Sequence, residues 1–416
     1  MKNLFWILSL FISLSTYAQD LKYARKIIET LCSSEYAGRG YVDDGVNKAA
    51  HFLAKEFKQI GLQPIGSSYF QEYTFSVNTH PFPIRCEIDE QEMRAGYDFI
   101  VAASSPRISG TFKLIHVNPH DSIENELLHL KLEKGFEKDE ALVIHHANER
   151  NTHFTDSFSL YHTQPRLLIY TEDKKLTHTI STEVDAIPSL IFFDSLINNK
   201  DQIQIELTND FIKSFPNKNI IGKIKGKKSN QTIVFTAHYD HLGALGTQAF
   251  FPGASDNASG VSMICYLAAY FKKHRPKHDI AFILFSGEEA GLIGSQVYTE
   301  NPVFNLNNIH TLVNIDIMGN AENGITIVNG ETFPKIFEAL STINTQKNYV
   351  PEIKIRGKAH NSDHYYFSEK GVPAIFIYSM GGPGYYHDVL DDAQSVQLTN
   401  YENVAQLLID YVNTIK

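Results

Sequence analysis

The sequence predicts an α/β fold in which a mostly parallel, twisted sheet is flanked by helices on both faces and carries an inserted β-rich lobe. From Asn219 onward, strand-like apolar runs alternate with helical patterns, which is typical of a parallel sheet covered on both sides. Between about Phe75 and Glu206 the pattern changes to short β-rich runs separated by polar loops, which favours a separate lobe. With 416 residues, the chain is long enough for one large domain with such an insertion, or for two domains.

The first residues, MKNLFWILSLFISLSTYAQD, have the layout of a secretory signal peptide. Lys2 precedes an apolar stretch from Leu4 to Leu14, and the small residues Thr16 and Ala18 follow it. Residues 1–18 are therefore predicted to be a cleaved leader, with a buried N-terminal strand or helix as the alternative. The apolar stretch is too short to span a bilayer, so no membrane anchor is expected. Export to the periplasm or the extracellular space is the expected location.

Residues 19–75 are predicted to supply the N-terminal helices of the main domain. Asp20 to Leu31 and Gly45 to Ile60 both carry apolar residues at three- and four-residue intervals. Gly61 is expected to end the second helix. Between the two helices lies EYAGRGY, whose glycines mark a turn.

Residues 76–206 are predicted to form the inserted β-rich lobe. Its strand-like runs are FIVAA, FKLIHV, ALVIHH, PRLLIY and PSLIFF, and no long helix stands out between them. Its histidines, among them His145, His146 and His153, show no repeat that would define a set of metal ligands. Surface or core positions are expected for them.

Residues 207–416 are predicted to form the core of the main domain. Its strands are expected at Ile233 to Ala237, Asp279 to Phe285, Thr311 to Ile315, Ile325 to Val328 and Ala374 to Tyr378. Its helices are expected at Gly260 to Lys273, Pro334 to Thr345, Asp363 to Lys370 and Thr399 to Ile415.

The composition excludes some partners and some chemistry. The formal charge of -10 at pH 7 argues against nucleic acid and against an anionic membrane as a partner. The three cysteines, Cys32, Cys86 and Cys265, are too few for a disulfide framework and match no zinc-knuckle spacing. One disulfide is possible, but Cys265 lies in an apolar run and is expected in the core.

Five segments of the second half each place a His, Asp or Glu beside a strand-like run: HYDHLG, SDNASG, SGEEAGLIGS, NIDIMG and YYHDVLDD. Ligands of open α/β sheets bind beyond the carboxyl ends of the strands, so these side chains are expected to meet there. Oxygen and imidazole donors of this kind suit zinc. The candidate residues are His238, Asp240, Asp256, Glu288, Glu289, Asp316 and His387.

Spacing indicates two of the roles. Asp240 lies two residues after His238, so an extended chain places both side chains on one face, where Asp240 can accept the second N–H of His238. The adjacent Glu288 and Glu289 point in different directions from a turn. One of them can therefore bind a metal while the other handles protons.

Asp256 is the candidate bridge between two metal ions, because two dications about 3.5 to 4 Å apart need a shared carboxylate. His238 and Asp316 then remain for one ion, and Glu289 and His387 for the other. Each ion would have three protein ligands and an open position, as a catalytic zinc requires.

Other histidines compete with His387 for the last ligand position, namely His241, His360 and His364. His387 is preferred because it follows the final strand at a loop. His364 is interpreted, together with Asp363, as a group behind the ligands that either contacts substrate or holds a neighbouring loop.

The order of these segments, with SDHYYF between the last two, resembles that of the two-zinc aminopeptidases of metallopeptidase family 28. The resemblance covers Asn219 to the C terminus and, more weakly, EYAGRGY and the helix after it. It implies that Glu288 is the general base, that Asp240 orients His238, and that the lobe is of the protease-associated kind. The zinc ligands that it implies are His238, Asp256, Glu289, Asp316 and His387.

The chain departs from the family pattern at two places. Ser255 stands beside the bridging Asp where family members often have a second acidic residue. The stretch HDVLDD stands where a Thr-Pro pair is more usual, which weakens the expectation that Asp391 supports His387. Neither departure removes a ligand.

The expected function is that of a zinc metallo-exopeptidase, an aminopeptidase that acts on peptides with two Zn²⁺ per chain, a metal-activated water and Glu288 as general base. A glutaminyl-peptide cyclotransferase with one zinc shares this fold and is the nearest alternative, although Asn257 and the GLIGS stretch favour the peptidase. A carboxypeptidase or dipeptidase, and a receptor-like binding module without catalysis, are the remaining alternatives.

Overall fold

The computed structural model describes residues 21–118, 130–146, 164–228 and 231–416. The predicted leader at 1–18 and His153 lie outside the described residues. The strands, in chain order, are β1 (Gln63–Pro64), β2 (Phe70–Thr79), β3 (Arg85–Ile88), β4 (Gln91–Glu92), β5 (Phe99–Val101), β6 (Ile108–Val117), β7 (Glu140–Ile144), β8 (Leu168–Glu172), β9 (Ser189–Phe193), β10 (Gln202–Leu207), β11 (Asp210–Ile224), β12 (Thr232–His238), β13 (Gly243–Leu245), β14 (Ala249–Phe251), β15 (Asp279–Phe285), β16 (Ile309–Ile315), β17 (Ile325–Val328), β18 (Ile353–Ile355) and β19 (Ala374–Ser379). The named α-helices are α1 (Leu21–Leu31), α2 (Gly45–Ile60), α3 (Asp194–Ile197), α4 (Gly260–Lys273), α5 (Ile293–Glu300), α6 (Pro334–Lys347), α7 (His364–Glu369) and α8 (Tyr401–Thr414).

The main sheet has the strand order β1-β11-β15-β12-β16-β19-β17-β18, and β2 pairs with β11 beside it. Its centre is parallel, because β12 runs parallel to β15 and β16, and β16 to β19. Antiparallel pairs flank this centre, β11 with β15 and β17 with β19. Every residue of β12 and β15 is buried, as expected for strands covered on both faces.

Helices cover both faces of the main sheet, and alternate residues of the central strands enter two different cores. On β15, Phe282 and Leu284 pack into the core that includes side chains of α1, α2, α4, α6 and α8. Ile283 and Phe285 point the other way and pack with side chains of α5 and α7. This period of two is that of an extended strand. The predicted mostly parallel sheet with helices on both faces is confirmed.

A second sheet, which forms the lobe, has the strand order β4-β3-β10-β6-β7-β8-β9-β5. Its middle strands β6, β7, β8 and β9 run parallel. The lobe has its own apolar core, to which Leu245 and Phe251 of the β13-β14 hairpin also contribute. The lobe therefore packs onto the loop that follows β12.

The domain boundaries drawn from the sequence stay a prediction. The second sheet falls within 85–207, while β2 crosses the predicted boundary at 75 and pairs with β11 of the main sheet. Gly61 ends α2 as expected, because its left-handed conformation (φ 87°) lets its N–H donate to the carbonyls of Phe57 and Lys58.

Some elements of the main domain escaped prediction. Helix α4 has the predicted bounds, whereas α5 was not expected because its sequence, IGSQVYTE, has a weak apolar pattern. The three cysteines are free, so the possible disulfide is not formed. Among the described residues, no helix is both long enough and apolar enough to cross a membrane.

Leu284 on β15 tests how strongly the sheet depends on its larger core. Leu284→Ala removes a fully buried side chain and leaves a cavity, so it should lower the free energy of unfolding by about 2 to 5 kcal/mol. Denaturant titration measures this loss. The exposed Lys335 provides the control, because Lys335→Ala should change stability by less than about 0.5 kcal/mol. Equal stability of the two variants would contradict this description of the core.

Candidate metal centre

The sequence-predicted site residues lie at one edge of the main sheet. His238 is the last residue of β12, Asp316 directly follows β16, and the adjacent Glu288 and Glu289 come shortly after β15. Because these strands are parallel neighbours, their carboxyl ends meet at the same edge. Two loops complete the group, namely the segment before α4, with Asp256, and the loop after β19, with His387.

One half of the centre is built around the imidazole of His238. Its Nε2 lies 3.3 Å from Asp316 Oδ1 and 3.2 Å from Asp256 Oδ1. Glu288 joins this group, since His238, Glu288 and Asp316 each offer a ligand atom within 4.8 Å of the others.

The other half is built around His387. Its Nε2 lies 3.3 Å from Asp256 Oδ2 and 3.0 Å from Glu289 Oε2. Asp256 thus presents one carboxylate oxygen to each imidazole, Oδ1 to His238 and Oδ2 to His387. The side chain predicted as the bridge lies between the two halves.

The donor set fits metal binding better than a closed network of hydrogen bonds. Asp256 Oδ1 and His387 Nε2 are buried, and neither atom makes a hydrogen bond to any described residue. Buried polar atoms without partners are rare and costly unless something binds to them. Zinc in proteins is bound by carboxylate oxygens and imidazole nitrogens as well as by thiolates.

The two adjacent glutamates differ in their affinity for protons. Enclosure by the protein raises the pKa of Glu288 well above its usual range, and the charge of Glu289 adds to this rise although His238 opposes it. Enclosure also acts to raise the pKa of Glu289, but the facing His387 outweighs it and the pKa falls to about 2. Such a separation is the arrangement expected where one carboxyl exchanges protons and its neighbour stays charged.

Asp240 contacts His238 differently from the prediction. His238 Nδ1 donates to the backbone oxygen of Asp240, at 3.2 Å, while the nearest carboxylate oxygen is 3.8 Å away. The carboxylate of Asp240 instead accepts hydrogen bonds from the Tyr41 hydroxyl (3.0 Å) and from the backbone N–H groups of Glu288 (3.3 Å) and Glu289 (3.4 Å). Asp240 thereby positions the turn that carries both glutamates. The prediction failed because β12 ends at His238, so residues 238 and 240 no longer lie on one face of a strand.

Among the four competing histidines, it is His387 that faces Asp256. His241 Nδ1 lies 2.7 Å from Glu289 Oε1, so it orients that carboxylate from behind. His360 stacks on Tyr365. His364 is buried against Phe376.

Arg39, in the EYAGRGY segment, was missed by the sequence analysis. Its buried guanidinium donates to five backbone carbonyls, those of Leu31, Tyr239, Pro252, Gly253 and Asp256. The neighbouring Gly40 allows this approach, because a Cβ there would lie 2.3 Å from the Cα of Gly243. A charged residue between two glycines was the available signal, but the sequence does not show which carbonyls it would meet.

Asp391 supports the Asp256 loop and not His387. Its carboxylate accepts hydrogen bonds from the backbone N–H groups of Ser255 (2.9 and 3.0 Å) and Asp256 (3.0 Å). On the opposite side of the site, Ser362 donates to Asp316 Oδ2 at 3.1 Å. Both contacts hold a candidate ligand from behind.

The lobe reaches the centre through the residues around His178. His387 Nδ1 donates to the backbone oxygen of His178 at 3.0 Å, which leaves Nε2 to face Asp256. Lys175 donates to the carbonyls of Gly384, at 3.0 Å, and of Tyr386. The lobe thus holds the loop that presents His387.

Comparison with known proteins identifies the part of the chain that contains the centre. The sequence profile described as Peptidase family M28 matches residues 219–412, which contain the whole centre. Residues 219–412 form a peptidase domain of family M28. The recognition made from the sequence motifs is confirmed.

Several curated relatives share part of this chain. A probable zinc metalloprotease of Pyrenophora tritici-repentis is 31% identical over 173 residues, 36% of this chain and 40% of the relative. The aminopeptidase YwaD of Bacillus subtilis is 28% identical over 222 residues, 47% of this chain and 45% of the relative. The chain thus spans less than half the length of these relatives.

Solved structures share the fold along nearly the whole chain. A zinc aminopeptidase from Bacillus subtilis has a TM-score of 0.70 at 16% identity and covers 94% of each chain. An aminopeptidase from Aneurinibacillus sp. strain AM-1 has a TM-score of 0.67 at 18% identity, over 95% of this chain and 93% of the other. A glutaminyl cyclase of Bacteroides thetaiotaomicron is more distant, with a TM-score of 0.53 at 13% identity over 95% of this chain and 98% of the other.

The predicted periplasmic or extracellular location is wrong by the same comparison. A relative from Laccaria bicolor, 34% identical over 142 residues that make up 33% of this chain and 12% of the relative, is named vacuolar membrane protease. A second fungal relative, from Schizophyllum commune, bears the same name. These names contradict export as the location of this protein.

Asp391 tests the support of the Asp256 loop. Asp391→Asn replaces one accepting oxygen with an N–H group that opposes the backbone donors of Ser255 and Asp256, so the loop should relax and the affinity for zinc should fall about 10- to 100-fold. Competition with a chelator measures this affinity. Asp388→Asn is the matched control, since that carboxylate accepts a local bond from Leu390 in the same loop. Equal zinc affinity in the two variants would show that the contact does not hold the site.

Proposed function

We propose that this protein is a zinc-dependent aminopeptidase that removes residues from the N termini of peptides. The observation that carries the proposal is the position of Asp256, whose two oxygens each face one imidazole of the centre. Membership of family M28 and the aminopeptidases among the relatives and structural neighbours support the reaction class.

Two zinc ions would be held in this arrangement. His238 and Asp316 would bind one ion, Glu289 and His387 the other, and Asp256 would bridge them. This division supports a two-ion peptidase over a one-ion cyclase, because each imidazole has a carboxylate of its own besides the shared one. When bound, such a metal pair polarises a carbonyl and lowers the pKa of water.

Glu288 would move the proton in this reaction. Its raised pKa lets it accept a proton from the attacking water and deliver that proton to the leaving amine, as a general base and then a general acid. Asp240 and the backbone hydrogen bonds to its carboxylate would keep Glu288 and Glu289 on opposite sides of their turn. His178 and His241 would orient His387 and Glu289 from behind.

Glu288→Gln tests the assignment of the proton carrier. The amide keeps the size of the side chain but cannot exchange a proton, so kcat on an aminoacyl nitroanilide should fall about a hundredfold or more while the zinc content is kept. Glu300→Gln, an exposed carboxylate at the end of α5, should leave kcat unchanged. Near-native kcat in Glu288→Gln with its zinc bound would refute the assignment.

Asp316→Ala and His387→Ala test the two halves of the centre separately. Each removes a ligand that only one ion would use, so each variant should lose about one zinc ion per chain relative to the unaltered protein. Elemental analysis after dialysis measures the loss, with the exposed His274 changed to Ala as the control. Unchanged zinc content in either variant would remove that residue from the ligand set.

Removal of zinc with a chelator, followed by its re-addition, separates the peptidase from the cyclase. Zinc re-added to the chelated protein should restore the hydrolysis of aminoacyl nitroanilides. Release of ammonia from glutaminyl peptides, without hydrolysis of the nitroanilides, would favour the cyclase instead.

A further inference from the structure

A second group of histidines and aspartates lies at the carboxyl edge of the lobe sheet. His145 and His146 follow β7, Asp173 follows β8, and Asp194 follows β9. These strands are parallel neighbours, so their ends form the same kind of edge at which the main sheet gathers its own polar residues.

Three of these side chains converge at ligand distance. His146, Asp173 and Asp194 each offer one ligand atom, and these atoms lie within 4.8 Å of one another. His146 Nδ1 is 3.1 and 3.2 Å from the two carboxylate oxygens of Asp173. The side chain of Asp194 is 12% exposed, against 40% for His146 and 43% for Asp173. The group thus has a buried anchor and an open side.

Two neighbouring side chains hold Asp194 through one of its carboxylate oxygens, Oδ1. Thr171 Oγ1 donates to Asp194 Oδ1 at 2.8 Å, and His145 Nδ1 lies 2.5 Å from the same atom. Oδ2 remains to serve as a ligand. Thr171 Oγ1 also accepts the backbone N–H of His146 at 2.9 Å, which joins two members of the group through a single hydroxyl.

A further histidine orients this support. His116 Nε2 donates to the carbonyl of Lys200 at 2.7 Å, and His116 Nδ1 lies 2.8 Å from Nε2 of His145. The other ring nitrogen of His145, Nδ1, contacts Asp194 Oδ1. Fixed orientation of groups behind a ligand is a property of built metal sites, and an isolated exposed His–Asp pair would not need it.

We propose that His146, Asp173 and Asp194 bind a divalent cation of the zinc class at this edge of the lobe, separate from the M28 centre. The imidazole selects against calcium and magnesium, which prefer oxygen ligands. The ion would tie together the loops after β7, β8 and β9, so it would stabilise the lobe without taking part in hydrolysis.

The test uses the full chain, chelated and then dialysed against micromolar Zn²⁺. His146→Ala and Asp173→Asn should each contain one zinc ion per chain fewer than the unaltered protein by elemental analysis. Both should also show a smaller rise in Tm on addition of zinc, and both should hydrolyse peptides at the unaltered rate. Glu206→Gln, an exposed carboxylate on β10 of the same lobe, is the control and should match the unaltered protein in every measurement.

The zinc content of these variants tests the lobe site whether or not the protein is a peptidase. Equal zinc content in both variants and the unaltered protein would overturn it, whether or not the protein hydrolyses peptides. Retention of calcium in preference to zinc at this edge would overturn the zinc assignment. If His146→Ala fails to fold by circular dichroism, Asp173→Asn decides alone, because its side chain is partly exposed and packs in neither core.

Discussion

A single buried guanidinium, that of Arg39, holds together the loops on which the metal centre depends. Burying a charge costs several kcal/mol unless it is well solvated by the protein, and here five carbonyl oxygens provide that solvation. One carbonyl belongs to Tyr239, between His238 and Asp240, and another to Asp256 itself. The contact also satisfies carbonyls that the irregular loops would otherwise leave unpaired. The geometry of the centre therefore depends on a residue that contacts the backbone, and not the side chain, of the candidate ligand Asp256.

The centre brings together more acidic side chains than the neighbouring imidazoles can neutralise. Asp256, Glu288, Glu289 and Asp316 crowd around two imidazoles, and the mutual repulsion is expressed as divergent proton affinities. The same crowding that raises the pKa of Glu288 favours the binding of cations beside it.

Sequence reasoning predicted the main sheet because its strands are continuous apolar runs, and it found the candidate ligands because most of them lie just beyond the end of such a run. It missed the residues that contact the site from distant parts of the sequence. These are Arg39, Asp391 and the backbone carbonyl of His178. Folding brings them to the site, and no local sequence pattern predicts such contacts. The lobe histidines were dismissed for lack of a repeat, since the partners of His146 are carried by other strands and not by its own segment.

One contact of the lobe also bears on how this protein can vary. The group that orients His387 is the main-chain oxygen of residue 178, and any amino acid carries that oxygen. Replacing the side chain there leaves the acceptor present, whereas inserting or deleting a residue between 175 and 178 would bring a different carbonyl to the ring. The acceptor for His387 therefore depends on the length of this segment and not on which amino acid stands at position 178.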